Sequence, residues 1–245
     1  MVTATTSSRN IVTETVGTTV VMLAGPGVVV LTGGQVSTLA VAIAFGAGLA
    51  LAIGVIGAVA NPAFTLGLLV VREISIREAV GDWIGQLLGG IVGAALVWGI
   101  NDQTRSAVGA NGWDRDGFGE LGSVIAAELV FTIVVVVVLL SSMSQGLSRV
   151  AVAGFTGLSY AVASLVLMSI DGVGMNPARS IGSAIFTDAD PNAIGQLWVF
   201  VLVPLVAAVA AVFVWLAIDD AEIDDTVFDE TILDDLQNAT TGDSD

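Results

Sequence analysis

Two copies of the tripeptide Asn-Pro-Ala are the features of this sequence that most clearly suggest a chemistry. The 245 residues include no Cys and no His, which excludes disulfides, Cys- or His-ligated metal sites and His-based acid–base catalysis. Asn is a good helix N-cap, and Pro is favoured at the first helical position because its missing N–H would lack a partner there anyway. Each copy therefore predicts the first residues of a helix: Asn61, Pro62 and Ala63, and Asn176, Pro177 and Ala178.

The composition places these motifs in a membrane protein. Hydrophobic residues make up 55% of the chain and charged residues only 12%, against about 25% charged residues in a typical soluble protein. A helix needs about 20 mostly apolar residues to cross a bilayer. Six segments meet that requirement: 12–33, 37–57, 79–100, 121–143, 150–170 and 195–218.

The chain also contains an internal repeat. The segments 61–71 and 176–186 are apolar but too short to span, and each begins with Asn-Pro-Ala. Asn61 and Asn176 lie 115 residues apart, as do Trp83 and Trp198. Each repeat holds three spans, an odd number, so the second copy must be inverted relative to the first. Inverted repeats of this kind place their functional site near the membrane midplane.

The two short segments are predicted to dip into the membrane as half-helices that line a cavity. Lipid offers no hydrogen-bond partners to the backbone N–H and C=O groups that are left unpaired where a helix is interrupted. The inverted repeat would then bring Asn61 and Asn176 together, with both amide groups donating into the lumen. Each half-helix N-terminus contributes roughly half a positive elementary charge. The sequence thus predicts a polar, electropositive centre in an apolar protein.

Glu14, Glu128 and Arg179 are charged residues inside the predicted membrane region, where such residues are by default functional. Glu14 and Glu128 are 114 residues apart, and two readings apply: proton-coupling groups of a transporter, or structural groups that hold the short segments. The repeat-related positions favour the structural reading. Arg179, which directly follows the second motif, would line a water-filled lumen or form a salt bridge to Glu14 or Glu128.

The arginines predict the orientation, since Lys is absent. The positive-inside rule counts basic residues in short loops and largely ignores acids. Four arginines lie on the side of the termini and two on the other, which predicts both termini in the cytoplasm. The first group is Arg9, Arg72, Arg77 and Arg149, and the second is Arg105 and Arg115.

The chain divides into an N-terminal segment (1–10), a channel region (11–218, with repeats at 11–100 and 121–218) and an acidic tail (219–245). The tail holds 11 of the 23 acidic residues, and the net charge is −16. This charge argues against nucleic acid as a partner. It fits either a halophilic host with a salty cytoplasm or a disordered acidic tail, although residues 225–237 could also form an amphipathic helix.

The sequence resembles the major intrinsic protein family, the aquaporins and glycerol facilitators, over about residues 10–218. The resemblance rests on Glu14, Gln86, Glu128 and the segments AFG at 44–46, NPAFTLG at 61–67 and GVGMNPARSIGSAIF at 172–186. It implies an all-α membrane protein with six transmembrane helices and two re-entrant half-helices. It also implies a homotetrameric passive channel in the cell membrane, with no enzymatic activity, cofactor or metal.

Carried over by alignment, the resemblance implies a selectivity filter of Phe45, Ser164, Val173 and Arg179. Water-selective members usually have His at the position of Ser164, so Ser implies a wider filter, whereas Ser180 and Ala184 resemble the water-channel subgroup. The expected function is a water channel that excludes ions and protons. The alternatives are a facilitator of glycerol or other small neutral solutes, a proton-coupled transporter using Glu14 or Glu128, and a non-conducting scaffold.

Overall fold

The computed structural model describes residues 5–101, 108–114, 118–188 and 192–219, without the side chains of residues 5–9. Every regular element in these ranges is helical. The elements are α1 (Thr5–Ala24), α2 (Pro26–Leu31), α3 (Thr38–Leu51) with a π-helical turn (Ala52–Ile56), α4 (Pro62–Val70), α5 (Ile76–Ile100), α6 (Leu121–Ser144), α7 (Arg149–Leu167), α8 (Pro177–Ile185) and α9 (Ala193–Asp219). The predicted tail helix at 225–237 lies outside the described residues.

Six stretches of the described chain are long and apolar enough to cross a membrane, which confirms the predicted fold class. They are Asn10–Leu31, Thr38–Ile56, Ile76–Ile100, Leu121–Ser144, Arg149–Leu167 and Ala193–Asp219.

Two of the predicted spans differ in detail from the structure. The first, 12–33, is two helices that meet at Gly25, because Pro26 has no N–H to donate and its ring disfavours a continuous helix. Pro26 instead takes the first position of α2, where that N–H is not needed. The fifth, 150–170, ends at Leu167, and three turn residues follow before Asp171.

Polar caps start several helices where the chain re-enters the apolar region. The Ser75 hydroxyl accepts from the backbone N–H of Glu78, whose carboxylate in turn accepts from the backbone N–H of Ser75. The Ser148 hydroxyl similarly accepts from Ala151 N–H at the start of α7. Such caps satisfy N–H groups that the helix itself leaves without partners.

The long helices pack in pairs: α1 on α5, α3 on α7 and α6 on α9. Glycine permits the closest of these approaches. A side chain at Gly46 would collide with the Gly157 carbonyl across the α3–α7 contact, and one at Gly90 would collide with the Ala178 carbonyl of α8. The short helix α8 is thereby held against α5 in the interior, as small residues allow in membrane proteins.

Candidate functional site: the two half-helices and the residues around them

The two Asn-Pro-Ala motifs start the short helices α4 and α8 in the same way. The Asn61 side-chain oxygen accepts from Ala63 N–H at 2.9 Å, and the Asn176 oxygen accepts from Ala178 and Arg179 N–H at 3.1 and 3.2 Å. These are the N-caps that the sequence predicted. Both residues are buried.

The two motifs also bind each other across the repeat. Asn61 Nδ2 donates to the Met175 carbonyl at 2.9 Å, and Asn176 Nδ2 donates to the Ala60 carbonyl at 2.8 Å. Ala60 and Met175 adopt nearly identical left-handed backbone conformations, with φ of 56° and 57°. The half-helix N-termini therefore meet, and each amide, which has two N–H donors, uses one on the opposite loop. The second N–H of each amide is the donor that the predicted hydrogen bonding into the lumen would use.

Glu14 supports the loop before the first motif. Its two carboxylate oxygens accept from the backbone N–H groups of Val59 at 2.6 Å and Ala60 at 2.8 Å. Gln86 Nε2 donates to the same carboxylate at 2.9 Å and to the Thr65 hydroxyl at 2.8 Å. These contacts tie α1, α5 and α4 together through one buried charge.

Glu128 occupies the equivalent place in the second repeat, with a different partner set. Its Oε2 accepts from Met175 N–H at 2.6 Å, and its carboxyl group lies against Gly174, where no side chain would fit. Asp171 Oδ1 accepts from Val173 N–H at 2.8 Å. The second oxygens of both acids, Glu128 Oε1 and Asp171 Oδ2, are buried without an N–H or hydroxyl partner in the described structure.

The carboxyl groups of Glu128 and Asp171 lie close enough to hydrogen-bond each other. Carboxyl oxygens can do so only when one of the two carries a proton. Burial, with the neighbouring Glu128 carboxylate, raises the pKa of Asp171 well above its usual range. A protonated Asp171 would donate a hydrogen bond to Glu128, as Gln86 does to Glu14.

Arg179, at the third position of α8, is buried and lies among neutral oxygens. Its guanidinium donates to Asn111 Oδ1 and, at 2.8 Å, to the Gly172 carbonyl. The Ser180 hydroxyl donates to Asn111 Oδ1 as well, at 2.7 Å. The guanidinium carbon stands 5.7 Å from the centre of the Phe45 ring, within cation–π range. Asn111, in the segment between α5 and α6, therefore holds the Arg179 side chain in position.

The four residues aligned with the filter are each at most 1% exposed: Phe45, Ser164, Val173 and Arg179. Arg179 contacts Phe45 and bonds to the carbonyl next to Val173. Ser164 uses its hydroxyl proton on its own helix, donating to the Tyr160 carbonyl at 2.7 Å. Tyr160 in turn lies 6.3 Å from Phe45, centre to centre, and links α7 to this group.

A cavity of about 380 Å³ opens on one side of the half-helices. Val59, Leu68, Leu139, Arg149 and Val152 are among the residues that line it. The cavity reaches Val59, two residues before Asn61, so it leads toward the meeting point of the two motifs.

Sequence reasoning missed Asn111, Asp171 and Tyr160. Asn111 lies in a polar loop that offers no periodicity or motif to single it out. Asp171 could have been found as a carboxylate between an apolar span and the second motif. Tyr160 is the sole Tyr of the chain, in a helix built mostly of small and aliphatic residues, but its contacts depend on three separate elements.

The family model for the major intrinsic protein matches residues 1–215. The glycerol uptake facilitator protein-like 6 of Lactiplantibacillus plantarum is 34% identical over 84% of this chain and 95% of its own length. Aquaporin Z of Brucella melitensis is 34% identical over 66% of this chain and 73% of its own.

Among solved structures, the X-ray structure of the aquaglyceroporin from Plasmodium falciparum superposes with a TM-score of 0.75. It covers 94% of this chain and 100% of its own at 19% identity. At that identity the likeness speaks for the fold.

Proposed function

The chain belongs to the major intrinsic protein family, whose members are channels for water and small solutes such as glycerol and not enzymes, and on that premise we propose that it is a passive water channel. The observation that carries the proposal is the meeting of two half-helix N-termini at Asn61 and Asn176, with Arg179 in the first turn of α8. This arrangement offers hydrogen-bond donors to a neutral, polar permeant in an apolar protein.

Exclusion of ions and protons follows from the same groups. Two helix N-termini each present about half a positive charge, and Arg179 adds a whole one. Asn111 and Gly172 accept hydrogen bonds from some of the guanidinium N–H groups of Arg179, but as neutral groups they leave its charge in place. A cation would have to lose its hydration next to these charges, whereas a water molecule exchanges one hydrogen-bond partner for another. We assign Phe45, Ser164, Val173 and Arg179 to the selectivity filter on this basis.

Glu14 and Glu128 are proposed as structural groups rather than proton carriers. Glu14 already accepts three hydrogen bonds from Val59, Ala60 and Gln86, and Glu128 is committed to Met175 and Asp171. A carboxylate that leaves such partners in order to move a proton would expose several buried donors, each costing about 1–3 kcal/mol.

A facilitator of glycerol is the second candidate. Ser164 is the residue that favours this candidate, because at the filter position assigned to it a small side chain leaves more room for a three-carbon solute than a bulkier one would. The relative from Lactiplantibacillus plantarum carries a glycerol-uptake name. The burial of the four filter side chains argues against glycerol as the main permeant, because it leaves little room for a solute larger than water.

We further propose that the channel is a homotetramer in the cell membrane with both termini in the cytoplasm, and that residues 219–245 form a separate acidic tail. Arg72, Arg77 and Arg149 lie in or beside loops on the side where the termini are expected, which supports the orientation.

Stopped-flow light scattering on proteoliposomes tests the proposal. Sucrose shock measures water permeability, glycerol shock measures glycerol permeability, and a pH-sensitive dye inside the vesicles measures proton leak. We expect water flux above that of protein-free vesicles, without proton leak and without need of a pH gradient. Glycerol flux comparable to water flux would favour the second candidate, and flux that requires a pH gradient would favour a transporter.

A further inference from the structure

Two aromatic residues, Tyr160 on α7 and Phe64 on α4, lie on the helix faces that lead inward from the cavity. The cavity is lined on α7 by Val152 and on α4 by Leu68. Residues spaced by four share one face of a helix. Moving inward along those faces, α7 presents Thr156, Tyr160 and then Ser164, and α4 presents Phe64.

These residues are closed off from solvent although they continue a cavity wall. Phe64 and Thr156 are 0% exposed and Tyr160 is 1% exposed. The Thr156 hydroxyl oxygen is buried without a partner in the described structure. A buried, unpartnered hydroxyl one turn beyond the cavity is a group that a passing water molecule would satisfy.

The ring of Tyr160 fills the space between the two repeats. It packs edge-on against Phe64 at 6.5 Å and lies tilted to Phe45 at 6.3 Å, centre to centre. Its hydroxyl donates to the Gly174 carbonyl at 3.2 Å, two residues before Asn176. The ring is therefore held at its sides by α3 and α4 and at its tip by the loop that precedes α8.

From these contacts we infer that Tyr160 and Phe64 form a second constriction, between the filter and the paired asparagines, that sets how large a solute can pass. This inference rests on the proposed function. In the present arrangement Asn61, Asn176 and the filter side chains are also at most 1% exposed, so the whole stretch from the asparagines to the filter is narrow. The constriction is an apolar wall, and Tyr160 contributes its one hydroxyl to the Gly174 carbonyl.

The test compares Tyr160→Val and Phe64→Val with the wild type in proteoliposomes, at equal protein content and after gel filtration shows the same oligomer. Phe155→Val is the matched control, since Phe155 lies on the same helix as Tyr160 but is 53% exposed on the outer surface. Tyr160→Phe separates the hydroxyl from the ring. Two variants on different helices guard against the failure of either one to fold.

We expect Tyr160→Val and Phe64→Val each to raise glycerol permeability roughly tenfold, which corresponds to a barrier lower by about 1.4 kcal/mol, and to raise water permeability less. Tyr160→Phe should raise water permeability slightly, since its ring is freed from Gly174, and Phe155→Val should match the wild type. If the wild type passes water and both valine variants equal it for both solutes, the constriction is refuted while the proposed function stands. If no protein passes either solute, the proposed function fails and the constriction with it.

Discussion

The residue that follows Asn-Pro-Ala differs between the two repeats, and the difference separates two tasks. Phe64 and Arg179 are equivalent by the 115-residue offset, and both are buried. Phe64 packs on Tyr160, whereas Arg179 bonds to Asn111 and Gly172. The same backbone frame thus carries an apolar wall in one repeat and a fixed positive charge in the other.

The supports behind the two motifs differ in a related way. Glu14 is completed by the neutral amide of Gln86, but the position equivalent to Gln86 in the second repeat is Val201. There the partner is Asp171, which reaches Glu128 from the loop before the motif. The partner of the buried glutamate is therefore an amide, which cannot titrate, in the first repeat, and a carboxyl group, which can, in the second.

The largest expected effect comes from removing the charge that distinguishes the repeats. Arg179→Val should make the second repeat resemble the first, widening the filter and admitting cations, with glycerol permeability rising by about tenfold for each 1.4 kcal/mol removed from the barrier. Potassium leak and glycerol shock in proteoliposomes measure both effects. Arg77→Val, which removes an exposed arginine at the second residue of α5, is the control. Equal ion exclusion in Arg179→Val and wild type would contradict the assignment of the filter to the second repeat.

Replacing each glutamate by glutamine should affect the first repeat more. In Glu14→Gln the new amide faces the N–H groups of Val59 and Ala60, so one buried donor loses its acceptor at a cost of about 1–3 kcal/mol. In Glu128→Gln the amide can donate to Asp171, and the remaining oxygen still accepts from Met175. Thermal unfolding in detergent should therefore show a larger loss for Glu14→Gln. Equal losses would mean that the two supports are energetically alike.

Asp171 should make stability depend on pH. Its pKa is raised in the folded protein by burial and by Glu128, so the bound proton stabilises the fold at low pH, and this contribution is lost as pH rises through the folded-state pKa. The temperature of thermal unfolding should thus fall as the pH is raised from mildly acidic to mildly alkaline. Asp171→Asn, which imitates the amide of Gln86, should flatten that dependence. Asp188→Asn, at an exposed aspartate, is the control, and an unchanged pH slope in Asp171→Asn would refute the shared proton.

The smallest effect is expected at Ser164. Ser164→His replaces a hydroxyl by a bulkier imidazole with two ring nitrogens, so the glycerol-to-water permeability ratio should fall by a few fold, in line with the modest discrimination that steric changes in a pocket provide. The ratio is compared under one reconstitution protocol, with Ser159→His as a control at a neighbouring turn of α7. A ratio that stays at the wild-type value in a folded protein would remove Ser164 from the filter.

The sequence by itself determined the elements that depend on local patterns. Apolar runs of about 20 residues set the six spans because lipid accepts only self-satisfied helices. The duplicated Asn-Pro-Ala tripeptide, at the head of two short apolar segments, set the start of α4 and α8, since Asn capping and Pro at the first position act through local interactions. The constant offset between the copies also gave the inverted arrangement, which follows from counting spans. The exception is Gly25–Pro26, where a local break was hidden in an apolar run.

Only the tertiary structure decided which groups meet. The reciprocal bonds between Asn61 and the Met175 carbonyl, and between Asn176 and the Ala60 carbonyl, join residues more than 110 positions apart. Asn111 reaches Arg179 from a loop, and Tyr160 meets Phe45 and Phe64 from two other helices. Such contacts are set by the rotation and depth at which helices pack. A periodic pattern in one segment fixes which of its faces is buried, but it does not fix the neighbour that covers that face.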